Sequence, residues 1–158
     1  MTAAMKKQKL KLYMRFYVDD NRFVFPAQDI IAIVPLVSLH EVPQAPEYVA
    51  GILSYHGESV PVIDIRTLMT GVRTDSRLST RIAIVKFAAS KRKQRLIGLL
   101  AEKLTEVMRI DESLFKPSGV TNENTRYLGE VVADNRGILQ RLNVAELIPK
   151  AAQKMLFS

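Results

Sequence analysis

The sequence predicts a mainly β fold, built as small barrels or a sandwich rather than as a parallel sheet. Two patterns point there. Short strand-like runs recur along the chain, each closed by turn residues, and the helical stretches between them are few and brief. With 158 residues, 47% of them apolar, the chain can bury a real core and suits one domain or two small lobes sharing that core.

Taken in order, "KLYMRFYV" (11–18) alternates imperfectly between polar and apolar or aromatic positions and reads as a strand. "DDNR" turns it into "FVF", a hairpin. In "AQDIIAIVP" the apolar residues Ile30, Ile31, Ile33 and Val34 lie too close together for a long helix, so one or two helical turns should run into a strand that Pro35 disturbs. Pro43 and Pro46 force an extended path. "GILSYHGESVPVIDI" (51–65) is two apolar runs hinged at His56-Gly57, with Pro61 inside the more strand-like run and Asp64 at its end. "IRTLMTG" suits a short helix stopped by Gly71 and started by Asp64, and "VRTDSRLS" a polar loop. "TRIAIVKFAA" and "QRLIGLLAEKLTEVMRI" are strand-like, with the basic turn "SKRKQ" between them. Residues 117–125 form a long polar loop, residues 134–137 turn a last hairpin, and "VAELI" reads as a closing helix before Pro149. A faint internal echo, "VIDIRTLM" against "RLNVAELI", suggests two similar lobes.

Charge and composition narrow the function. The net charge of +7 is peripheral: Lys6, Lys7, Lys9, Lys11 and Arg15 precede every acid, and Lys150 and Lys154 close the chain. Residues 18–148 carry the other 16 basic residues and all 16 acids, and are neutral. A nucleic-acid groove needs positive charge concentrated on a folded face, so a small basic nucleic-acid-binding barrel is the second reading. "SKRKQR" reads as a solvated turn, because no aromatic residue interleaves it. The absence of cysteine rules out disulfides and thiolate metal sites, and favours a reducing compartment. No apolar stretch approaches the roughly 20 residues that span a bilayer, and no secretory signal is evident, so a cytoplasmic location is expected.

Reactive chemistry is sparse. His40 and His56 show no ligand spacing, Asp19-Asp20-Asn21 is too short for a calcium loop, and no nucleophile elbow or phosphate loop is present. Asp64 is better explained as a helix cap than as a lone catalytic acid. We expect no enzymatic activity, no cofactor, no metal and no small-molecule substrate.

Three blocks carry a resemblance: "APEYVAGILSYHGESVPVIDIRTLM" (45–69), "RLIGLLAEKLTEVMRI" (95–110) and "RYLGEVVADNRGILQRLNVAELI" (126–148). In this order they resemble the CheW-like family of chemotaxis adaptor domains over nearly all of 11–148. The resemblance implies two small SH3-like five-stranded β-barrel lobes with short helices around a shared core. On that basis the chain divides into a flexible basic tail (1–10), a single two-lobed domain (11–148) and a C-terminal tail (149–158). In such a fold Pro61 is tolerated where a strand bends or bulges and its nitrogen meets no ladder partner.

The resemblance also implies a function. Such an adaptor couples the signalling tip of a methyl-accepting chemotaxis receptor to the regulatory domain of a CheA-type histidine kinase. It would meet the membrane only through receptors, at membrane-associated arrays. The receptor-facing groove between the lobes carries over onto Ile33, Val34, Tyr55, His56 and Gly57 and, in the second lobe, Leu99; each has a core position as the alternative, Leu99 above all. Family members usually read Asn-Leu-Arg-Gly where this chain has Ser54-Tyr55-His56-Gly57, and their arginine pairs with a glutamate near the place of Ile33 and Val34. Losing both partners either exchanges a surface ion pair for apolar packing or retunes the partner surface. The closing "KAAQKMLFS" either frays or docks Met155, Leu156 and Phe157 on a partner or membrane surface.

Overall fold

The computed structural model describes residues 9–90, 93–120 and 122–157. Nine strands and two short α-helices follow one another as β1 (Leu10–Val18), β2 (Asn21–Pro26), β3 (Ile30–Pro35), β4 (Val49–Tyr55), β5 (Glu58–Asp64), α1 (Ile65–Thr70), β6 (Arg81–Ser90), β7 (Lys93–Asp111), β8 (Leu128–Asp134), β9 (Gly137–Leu142) and α2 (Lys150–Leu156). Single 3-10 turns occupy Ala27–Asp29, Glu112–Leu114, Glu123–Thr125 and Val144–Glu146. The basic turn expected between β6 and β7 has Lys91 and Arg92 outside the described residues.

The mainly β expectation holds, with one correction to the lobes. All nine strands form one connected sheet, and β7 belongs to both of its halves. One half runs β4-β5-β7-β6-β3 and the other β7-β1-β2-β9-β8, five strands in each. Neither half closes into a barrel. Closure would require β3 to pair with β4 and β8 with β7. Instead the connection after β3 bonds along the outer side of β4, where His40 and Ile52 exchange both N–H···O bonds (3.0 and 2.8 Å). Lys116 does the same to Val131 on β8 (2.9 and 2.8 Å). Loops thus cover two sheet edges that would otherwise present free backbone groups.

That strap explains Gly51 and Pro61. A Cβ on Gly51 would lie 2.7 Å from both the His40 carbonyl oxygen and Leu39 Cβ, so only glycine admits the strap. Because both polar groups of Ile52 are taken by His40, the facing pair Ile52–Pro61 exchanges no bonds across β4 and β5. The Pro61 nitrogen faces the other way, toward β7, whose pairing with β5 begins one residue later at Val62. The missing N–H leaves no ladder acceptor orphaned.

Asp64 ends β5 and caps α1: Oδ1 accepts from Thr67 N–H (3.2 Å) and the Thr74 hydroxyl (2.6 Å), and Oδ2 from Thr74 N–H (3.0 Å). Gly71 closes the helix at φ +79. The expected helix at "VAELI" is a single 3-10 turn, since Pro149 disfavours helical geometry at Ile148 and cannot donate to a helix itself. After that proline the chain forms α2, and Leu156 and Phe157 pack onto the core, with the Phe157 and Phe87 rings stacked at 5.6 Å. These two side chains are turned onto the chain's own core, whereas Met155 stays exposed.

The half-sheets carry three apolar clusters. One lies inside the first half (Leu53, Val60, Val62, Ile82, Ile84, Leu100) and one inside the second (Tyr13, Val24, Ile110, Phe115, Leu139). The third and largest lies between the halves, where Ile63, Val85, Phe87 and Leu99 meet Met14, Phe16, Phe25 and Leu142. Strands β5, β6 and β7 are therefore buried on both faces, with alternate residues feeding different clusters. Each fully buried side chain of this size contributes about 1.5–3 kcal/mol.

Arg22, almost fully buried, ties the β8–β9 hairpin to β2. Its guanidinium donates two bonds to Asp134 (3.0 and 2.5 Å) and one to the Gly137 carbonyl (3.1 Å). That guanidinium and the Arg136 N–H hold the Asp134 carboxyl at about 2, below its ordinary 3.8.

Two outcomes follow. Gly51→Ala should destabilise the protein by about 2 kcal/mol or more in urea unfolding, since backbone must move to admit the methyl. Asp134 is depressed in the folded state, so its contribution is complete above its unfolded pKa and is lost as pH falls from 4 toward 2. Solvent screening at this partly exposed carboxylate limits it to about 1 kcal/mol. Asp134→Asn should lower stability by at least that amount at pH 7, since it leaves the nearly buried Arg22 guanidinium without this counter-charge, and remove this part of the acid dependence in a pH series of melting curves.

Candidate partner-binding surface

Tyr55, His56, Gly57 and Glu58 form the β4–β5 hairpin, with positive φ at both central residues, +47 for His56 and +82 for Gly57. This is the turn whose twist matches a strand pair, and it favours Asn or Gly at its first central position. Here histidine accepts the left-handed conformation, and its ring meets the Tyr55 ring edge-on at 4.4 Å. Tyr55 lies on the Leu53 side of β4 and packs on the first half's inner cluster.

Strand β3 divides the two residues that sequence places together. Val34 faces Ile82 and packs on the same cluster as Tyr55. Ile33 faces Ala83, on the side of the shared core, but is 38% exposed, and Ile31 beside it is also exposed. A period of two sends neighbours to opposite faces. Apolar packing therefore describes Val34 and Tyr55, while Ile33 and His56 stay at the surface. Leu99 is 1% exposed in the shared core, between Ile63 and Ala83, and offers its side chain to no outside partner.

The free edge of β3 is itself unsuited to adding a strand, because a register irregularity lies between Ile30 and Ala32 and Pro35 ends it. A partner would meet the side chains of Ile31 and Ile33. The second half has a matching margin that sequence reasoning missed. Met14 pairs with Val107 and Leu12 with Arg109; Met14 enters the shared core, whereas Leu10, Leu12 and Val107 are left exposed. The shared core thus ends in uncovered apolar residues on both halves. The only sequence signal was the imperfect alternation of 11–18, which does not say which side is covered.

Charged groups lie on the opposite side of β1, beside the second half's inner cluster. The buried Tyr13 hydroxyl donates to Glu112 Oε1 at 2.7 Å, and Lys11 Nζ lies 3.4 Å from Glu112 Oε2. Burial and the Glu112 bond push the tyrosine up to about 12, and the same bond, helped by Lys11, lowers the glutamate. Among the described residues no group of three His, Asp or Glu side chains is placed to hold a metal ion, and no helix is long and apolar enough to cross a membrane.

The chain is similar to known proteins over most of its length. A family model described as the CheW-like domain matches residues 12–152. Chemotaxis protein CheW of Helicobacter pylori is 25% identical over 140 residues, which cover 87% of this chain and 81% of that protein. Protein FrzA of Myxococcus xanthus is 23% identical over 142 residues, 88% of this chain and 86% of that one. The crystal structure of the scaffolding protein TtCheW from Thermoanaerobacter tengcongensis superposes with a TM-score of 0.77 at 23% identity, over 88% of each chain.

Because His56 occupies a position that favours Asn or Gly, His56→Asn should raise stability by about 0.5–1 kcal/mol in urea unfolding. An unchanged or lowered midpoint would mean that the edge contact with Tyr55 outweighs the backbone preference.

Proposed function

The chain belongs to the CheW-like domain family, and from that premise we propose that it is a non-catalytic adaptor that couples a methyl-accepting receptor to a CheA-type histidine kinase in a chemotaxis-like signalling array. The observation that carries this reading is the pair of uncovered apolar margins, Ile31 and Ile33 on one half and Leu10, Leu12 and Val107 on the other, flanking one shared core. An interface core is apolar and poor in charge, and a helical hairpin such as a receptor tip presents the kind of surface that would cover it. Ile33, with the His56-Gly57 turn, forms the receptor side of this reading. Val34 and Tyr55 support that side from within, and Leu99 acts through packing alone.

The mechanism is bivalent linkage. Holding receptor and kinase on separate surfaces raises their effective concentration for each other without any chemical step. The protein would then work in the cytoplasm, at membrane-associated arrays, reaching the membrane through its receptors. The family match leaves the nucleic-acid-binding alternative without support.

Co-sedimentation of the kinase with receptor-containing membranes tests the reading. Wild-type protein should bring the kinase down. Ile33→Asp should weaken receptor binding roughly tenfold or more, as expected for charging an interface core, with an unchanged melting temperature. Ile33→Glu combined with His56→Arg, which would restore the family's ion pair, should shift preference from the protein's own receptor toward a typical chemotaxis receptor. Kinase recruitment that is indifferent to this protein would overturn the adaptor reading, and binding indifferent to Ile33 would overturn the placement of the receptor surface.

A further inference from the structure

The loop between α1 and β6 holds an apolar side chain out in solvent. Leu78 is 95% exposed, yet the backbone around it is pinned. The buried Thr80 hydroxyl donates to the Asp75 carbonyl (2.6 Å) and accepts from Arg77 N–H (3.1 Å), and Thr80 N–H donates to the Arg77 carbonyl (3.0 Å). Lys103 N–H, at the bend of β7, donates to the Ser79 carbonyl (3.0 Å), and the Arg81 guanidinium donates to the carbonyls of Leu78 and Thr80. A leucine on a braced loop loses little entropy when it is covered, which favours its use as a contact.

The start of the same loop borders a receptacle. A cleft of about 430 Å³ opens between the strap that follows β3 and the start of this loop. Its apolar lining includes Leu36, Val37, Leu39, Val42, Val49 and Leu100. Glu41 and Glu47 stand on its wall, both exposed, and neither is paired with a basic side chain among the described residues. Beside it the turn Val42–Ala45 carries Gln44 at φ +62, a position that glycine fills without strain. The cleft also takes in Arg73 and Thr74, from the loop that presents Leu78. Knob and cleft therefore share one loop, and a two-fold pair would have each copy give a knob and receive one.

We propose that two copies of this chain associate face to face, with Leu78 of each entering the other's cleft and Arg77 meeting Glu47 or Glu41 of the other copy. Charge complements shape: Arg77 is exposed and among the described residues its guanidinium holds only the surface partner Asp75 at 3.3 Å, a contact readily exchanged for another carboxylate. So small a contact makes a weak pair, matched to the high local concentration of an array rather than to dilute solution. The self-association does not rest on the receptor and kinase assignments, since it uses other residues.

Sedimentation equilibrium of the full chain, from micromolar to near-millimolar concentration, tests it. The expected result is a monomer–dimer equilibrium that Leu78→Asp weakens at least tenfold, with unchanged circular dichroism, since this side chain supports nothing in its own copy. Arg77→Glu and Glu47→Lys should each weaken the pair, and the double variant should restore it. A protein that stays monomeric throughout, a dimer indifferent to Leu78→Asp, or open-ended growth beyond two copies would each overturn the proposal. So would a monomer whose Leu78→Asp variant instead loses the kinase, since the knob would then belong to that partner.

Discussion

Strand β7 is the constraint on which the rest of the structure depends, because it is a member of both half-sheets. Its first part lies between β5 and β6, and its second part pairs with β1. Between them the strand must leave one sheet and enter the other. It does so where Tyr17 faces Glu102 and Arg15 faces Glu106, so that β7 carries more residues than β1 over the same span, with Lys103 at φ +55. The excess residues bend the strand as a bulge does. Lys103 and Arg15 both lie over the Tyr17 ring, at 4.7 and 5.1 Å from its centre, and Arg15 reaches Glu106 at 2.8 Å. Cation–π contacts of this kind hold the bend from the β1 side.

Once β7 is shared, the third core becomes unavoidable. Each half-sheet has an inner face that its own curvature covers and an outer face that only the other half can cover. Ile97 and Leu99 on β7, with Ala83 and Val85 on β6, face the latter way and meet Phe16, Phe23 and Phe25. Helices α1 and α2 fill what remains, with Leu68, Met69 and Leu156 packed on this core. Two open curved sheets cannot cover one another completely. The uncovered strips, at β3 and along β1 and β7, are the apolar surface that the proposed adaptor would offer a partner.

The local signals were legible because each is set by its own few residues. Asp64 caps a helix since its side chain reaches an N–H three residues on, and Gly71 ends that helix by accepting a left-handed backbone. The His56-Gly57 turn and the 134–137 turn follow from residues that tolerate positive φ or bond their own loop. The apolar spacing of "VAELI" suggests a helix, but the proline that follows limits it to a 3-10 turn. Leu156 and Phe157 could not be placed by pattern at all. A short basic and apolar helix looks alike whether it covers its own core or another surface, and only the Phe87 ring beneath it decides.

By itself, then, the sequence determined the strand-rich class, the order of the turns and caps, the neutrality of the folded middle and the resemblance to one adaptor family, all properties that residues near in sequence express together. The tertiary structure alone decided that the two halves remain open, that the loops around His40 and Lys116 cover their edges, and which side of each strand is buried. It separated Ile33 from Val34, placed Leu99 out of reach and joined Leu10, Leu12 and Val107 to the candidate surface. The physical reason is that exposure belongs to pairs of sheets rather than to strands. An alternating strand has two candidate faces, and the one left uncovered depends on where a distant half of the chain comes to rest.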